Sequence, residues 1–144
     1  MFHTVVAAYN DSPEAERALI TAIRLAKILN ADLQAVTATA DLPAYTAYAG
    51  VADPSLPRVL EADHAKFYQL LQQKARAIAR PYGLDLQCQV VEGPGAEAII
   101  NFLREKKADL LVVGLHQRNF YLARLWSTVF ELAQEAPCSV LGVH

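Results

Sequence analysis

At 144 residues the chain has the size of one domain with a single core, and its 53% hydrophobic content is enough to bury a sheet. A formal charge of −2, with no lysine-rich run or aromatic–basic interleaving, argues against a general nucleic-acid or acidic-membrane binder. No apolar run approaches the roughly 18 residues of a membrane span, and the start passes straight into a strand-like run, Phe2 to Tyr9, without the basic region of a signal peptide.

The predicted elements alternate strictly. Val5 to Tyr9 is a short apolar strand. Asn10-Asp11-Ser12-Pro13-Glu14 follows, with Ser12 as helix N-cap and Pro13 at the first helical position. Apolar residues then recur at Ala15, Ala18, Leu19, Ala22, Ile23, Ala26 and Ile28, a helical stripe running to about Asn30. Leu33 to Thr39 reads as a second strand, and a loop rich in Pro, Ala, Tyr and Gly spans Asp41 to Pro57. A second helix is predicted over Leu56 to Tyr82, with Leu60, Phe67, Leu70, Leu71, Ala75 and Ile78 facing inward. Leu84 to Val91 is a third strand, and Gly93-Pro94 opens a third helix with Ile99, Ile100 and Leu103 inside. Leu110 to Gly114, Phe120 to Ala136 and Cys138 to Val143 complete the chain as strand, helix and strand.

Apolar β-branched strands alternating with helices imply a five-stranded parallel sheet covered on both faces, a single-domain Rossmann-like α/β sandwich over residues 1–144. Cys88 and Cys138 fall in predicted buried strands and read as small hydrophobes rather than disulfide or metal partners, which suits the cytoplasm.

The strand ending at Gly114 and the helix after it form the most informative segment. Open α/β sheets bind ligands at such junctions, where glycines let backbone N–H groups close on phosphate oxygens. Here Gln117 and Ser127 stand where further glycines would serve best.

Four pieces in order resemble the universal stress protein family across the whole chain. They are the opening Thr4 to Leu19, the Val91-Glu-Gly-Pro-Gly-Ala-Glu-Ala-Ile-Ile100 turn, the strand Ala108 to Gly114, and the ending Ala136-Pro-Cys-Ser-Val-Leu-Gly-Val143. The resemblance implies strand order 3-2-1-4-5 and a homodimer joined through the last strand. It also implies a nucleotide motif of Gly, two residues, Gly, nine residues, Gly, then Ser or Thr. Laid on this chain, the first glycine is Gly114 and the terminal hydroxyl is Thr128, while the other glycines become Gln117 and Ser127. The early aspartate becomes Asn10, the glycine after it becomes Asp11, and the residue near an adenine falls on Ala38.

Gln117 places a Cβ and an amide where glycine would allow close approach, and Asp11 would repel phosphate unless it points away or holds a metal. Gly114-Leu-His-Gln117 followed by an aromatic resembles the UspA-like branch, which is associated with loss of ATP binding. The candidate nucleotide residues are Asn10, Ser12, Ala38, Gly114, Gln117, Arg118, Ser127 and Thr128, and Arg118 or Arg124 could supply charge lost with the glycines.

Bland readings stand beside these. His116 reads as a locally bonded loop residue, Trp126 as core or interface, Tyr45 and Tyr48 as loop packing, and His64 as surface. No Gly-x-Ser-x-Gly, His-Glu-x-x-His, Cys-x-x-Cys or Walker A lysine loop occurs, so no catalytic or metal residue is nominated.

The first reading is a small cytoplasmic regulator acting as a homodimer through protein partners, with no or weak ATP binding. The second is an ATP or AMP sensor, with Mg, using the loops after the first and fourth strands. An apolar last strand left as a sheet edge invites pairing with its copy, so Val140, Leu141 and Val143 are the dimer candidates.

Overall fold

The computed structural model describes residues 1–39, 56–93, 95–115 and 128–144, with side chains described outside 56–64. The strands are β1 (Thr4–Ala8), β2 (Asp32–Ala38), β3 (Gln87–Val91), β4 (Leu110–Gly114) and β5 (Ser139–Val143). The helices are α1 (Pro13–Leu29), α2 (Leu56–Ala79), α3 (Gly95–Lys106) and α4 (Thr128–Glu135). All five strands are parallel, in the order β3-β2-β1-β4-β5. The chain winds outward from β1 to β3, then returns to place β4 on the other side of β1. That reversal leaves the C-terminal ends of β1 and β4 side by side, the topological switch point of an open sheet.

Strand alternation builds two cores. Val5 and Ala7 of β1, with Leu110 and Val112 of β4, face the layer of α1 and α2. Val6, Leu111 and Val113 face α3 and α4. Since β1 and β4 are central, their apolar residues are buried on both faces, as continuous apolar runs require.

Helix α1 begins where its capping chemistry places it. The Ser12 hydroxyl accepts the Ala15 amide at 3.1 Å, Pro13 follows, and Glu14 and Glu16 occupy the positive first turn. Its C-cap, Asn30, takes the left-handed conformation at φ 53°.

The edges depart from the sequence reading. Helix α2 buries Leu71, Ala75 and Ala79, but Phe67 and Leu70 are exposed. A helix against an edge strand covers less of its circumference than a central one, so the inner stripe narrows. Ile28, in the last turn of α1, is likewise exposed rather than core. Helix α2 ends in a tighter turn at Arg80–Tyr82, because Pro81 cannot donate to the helical ladder. Cys88, in the edge strand β3, and Cys138, just before the edge strand β5, are free thiols and only half-buried. The first part of the predicted fourth helix, and the Asp41–Pro57 loop up to residue 55, lie outside the described residues.

One long-range tie sets the start of the sheet. The Asp109 carboxylate accepts the amides of His3 at 2.7 Å and Thr4 at 3.0 Å, joining the entrances of β1 and β4. Burial pushes this carboxyl up, but the two amide bonds outweigh it and hold the group below its ordinary range. A depressed carboxyl contributes stability that is present above its unfolded value, about 3.9, and lost as pH falls through the folded one. Asp109→Asn is expected to cost about 1 kcal/mol at neutral pH. Urea melts as a function of pH check this: the gap between wild type and variant should close below about pH 4. A gap that stays constant into acid would show that the charge contributes nothing.

Candidate functional site

The loop after β1 is held from two sides before it reaches the crevice. The Tyr9 amide donates to Val36 O at 2.9 Å, and the buried Thr37 hydroxyl donates to Tyr9 O at 2.7 Å. Tyr9 is buried, and that burial pushes its phenol up. The next residue, Asn10, is oriented by Ser12, whose hydroxyl donates to Asn10 Oδ1 at 2.5 Å. With Oδ1 engaged, the Asn10 NH2 is the donor this side chain presents to a ligand.

Four of the sequence-nominated residues meet around one cavity of about 200 Å3 over the switch point: Asn10, Ala38, Gly114 and Thr128. They come from the ends of β1, β2 and β4 and from α4. The rest of the lining was not anticipated as site. Val36, Val113, Val129, Ile99 and Leu132 form apolar walls, the last two from α3 and α4. For Val36, Val113 and Ile99 the sequence signal was an apolar strand or an inward helix face, which does not separate a filled core from the wall of a crevice; Val129 and Leu132 were not singled out on the fourth predicted helix.

Among the described residues none of the lining side chains carries a charge. Polarity comes from Asn10, Thr128 and the backbone, so the space suits a flat, weakly polar group with a few hydrogen-bonding positions. Among the described residues no cluster of His, Cys, Asp or Glu could hold a metal ion. The described walls enclose room for a base or a sugar, well below the roughly 300–1,000 Å3 of sites that take a drug-sized ligand.

Ser12 does not line this cavity. It lines a second one of about 240 Å3, which shares Asn10 and Ala38 and is walled by Phe67, Tyr68 and Leu71 of α2. Asp11 also sits there, and it points away from β4 to Lys74 Nζ at 2.7 Å. Val140 is part-buried against the α3 and α4 core and Val143 against the α1 and α2 core, while Leu141 is 37% exposed. Gln117, Arg118 and Ser127, with His116, Arg124 and Trp126, lie outside the described residues, as do Tyr45 and Tyr48.

Gly114 has a reason to be glycine that involves no ligand. A Cβ built there would lie 2.5 Å from Glu14 C, 2.6 Å from Glu14 O and 2.8 Å from Ala15 N. The end of β4 therefore packs directly on the backbone of the first turn of α1.

A parallel sheet of this order, with a small crevice at its switch point, defines a Rossmann-like α/β protein. Comparison with known proteins is more specific. The sequence model of the universal stress protein family matches residues 1–144. The chain is 26% identical over 152 residues to the stress response protein NhaX of Bacillus subtilis (strain 168), covering 91% of this chain and 92% of that protein. It is 27% identical to a universal stress protein crystallised in complex with cAMP, with TM-score 0.76 over 99% of this chain and 97% of that one. A universal stress family protein from Burkholderia pseudomallei is also 27% identical, with TM-score 0.70 over 99% and 96% of the two chains. The chain belongs to the universal stress protein family.

No described helix is long and apolar enough to cross a membrane.

Proposed function

We propose that this protein is a non-enzymatic stress-response regulator of the cytoplasm that works as a homodimer and takes a small adenine nucleotide in the crevice over β1 and β4. Cyclic AMP or AMP is the favoured ligand, with Mg-ATP bound weakly or not at all. The observation that carries this reading is the mainly apolar cavity, uncharged among its described lining residues, that gathers Asn10, Ala38, Gly114 and Thr128. An apolar slot with an amide at one side suits a purine and its ribose. The relative solved with cAMP shares 27% of its sequence with this chain over nearly its full length, which supports the ligand class. Against a triphosphate stand Gln117 and Ser127, which replace two of the three glycines that family motif uses around phosphates.

Calorimetric titration of cAMP, AMP and Mg-ATP into nucleotide-stripped protein tests this. Saturable micromolar binding of cAMP or AMP, with Mg-ATP weaker, is the expected result. Thr128→Ala should weaken the bound nucleotide about fivefold, the worth of one hydrogen bond near 1 kcal/mol. Binding that the variant leaves untouched would place the ligand elsewhere. Flat titrations for all three would end the nucleotide reading and leave a regulator that acts through protein partners alone.

A further inference from the structure

The loop that leads into the crevice is acidic. Asp11 follows the cavity-lining Asn10 directly, and Glu16 stands in the first turn of α1. A ligand bearing a phosphate would approach against these charges, whereas a neutral nucleoside would not. Opposite them stands Lys74 of α2, whose Nζ lies 2.7 Å from Asp11 Oδ1. The pair joins residues 63 positions apart, and its Asp11 end lines the second cavity, which shares Asn10 with the first.

We propose that Lys74 is a specificity-determining residue, which cancels the charge of Asp11 and so biases the crevice toward a phosphate-bearing adenine ligand over a neutral one. The inference rests on the nucleotide reading above. Position 11 is where this chain has a carboxylate in place of a glycine, and Lys74 is the counter-charge that makes the replacement compatible with an anion. The ammonium stays charged throughout the working range, held up by the hydrogen bond it donates to Asp11 and then by that residue's charge, with Glu16 adding to it. Both side chains are largely exposed, at 60% and 50%. An exposed pair contributes little to folding, so its effect falls on what the loop attracts or repels.

The test is calorimetry at low ionic strength with cAMP, an anion, and adenosine, its neutral counterpart, on wild type, Lys74→Gln, Asp11→Asn and the double variant. Lys74→Gln should weaken cAMP by about threefold, as expected for an uncovered charge near a solvated site, and leave adenosine unchanged. Adding Asp11→Asn to Lys74→Gln should restore cAMP affinity, and Asp11→Asn alone should tighten it. The cAMP difference should vanish at about 1 M salt, where the screening length falls to about 3 Å. If wild type binds both ligands and Lys74→Gln changes neither, or changes both alike, the charge role is overturned and the nucleotide reading survives. If wild type binds neither ligand, the nucleotide reading itself fails and takes this inference with it. Thermal melts of the four proteins, expected to agree within a few degrees, separate a charge effect from a folding defect.

Discussion

Gly114→Ala is expected to destabilise the fold by about 3 kcal/mol and to lower its melting temperature by about 10 °C. The added methyl would sit 2.5 to 2.8 Å from three backbone atoms of Glu14 and Ala15. A side chain met at that distance can rotate away, but a helix backbone must move as a unit. Helix α1 has little room to move: Ser12 caps it, and Ala15, Ala18, Leu19, Ala22 and Ile23 are buried. Strand β4 cannot yield either, because it is hydrogen-bonded between β1 and β5. Gly142→Ala provides the control. Its Cβ would meet Leu115 Cδ1 at 2.8 Å, the end of a flexible side chain, and the cost should stay below about 1 kcal/mol. Chemical denaturation of both variants checks the contrast, and a Gly114→Ala protein as stable as wild type would mean that α1 and β4 do not approach this closely.

That packing bears on how the glycine pattern is read. In the sequence, Gly114 counted toward a phosphate-binding motif, yet the fold requires a glycine there whether or not a nucleotide binds. Its presence alone therefore says little about the ligand. Thr128 and Asn10, polar side chains that line the cavity, carry more of the functional signal.

The central strands were legible because each is buried on both faces, which forces an uninterrupted apolar run that composition alone reveals. The start of α1 was legible because Ser12, Pro13 and Glu14 are local capping chemistry. What the sequence left hidden is non-local. Periodicity placed Phe67 and Leu70 inside, but how much of a helix is covered depends on the width of the sheet beneath it. Lys74 pairs with Asp11 across 63 positions, and Asp109 reaches His3 across 106, so neither partner can be deduced from spacing. The same holds for Ile99: its inward direction was evident, but not that the space it faces is a crevice.

Leu141→Asp is expected to raise the dissociation constant of the proposed homodimer about a hundredfold, through loss of a buried leucine and burial of an unpaired charge. Among the described residues β5 pairs only with β4, so its outer N–H and C=O groups form an open edge. Arg17 Nε donates to His144 O at 3.0 Å and steadies the end of that edge. A two-fold axis beside β5 would set the strand against its own copy, antiparallel, and continue the sheet through both subunits. The three apolar residues of the strand differ in what a charge would test. Val140 and Val143 each pack against a core of their own subunit, so a charge there would damage the fold and the dimer together. Leu141, 37% exposed, is the one whose apolar surface its own subunit leaves uncovered. The variant should therefore sediment as a folded monomer at concentrations where wild type is dimeric, with far-ultraviolet circular dichroism unchanged. Unaltered dimer mass for Leu141→Asp would move the interface away from β5. Loss of both dimer and folded signal would mean instead that β5 contributes more to the subunit core than its exposure indicates.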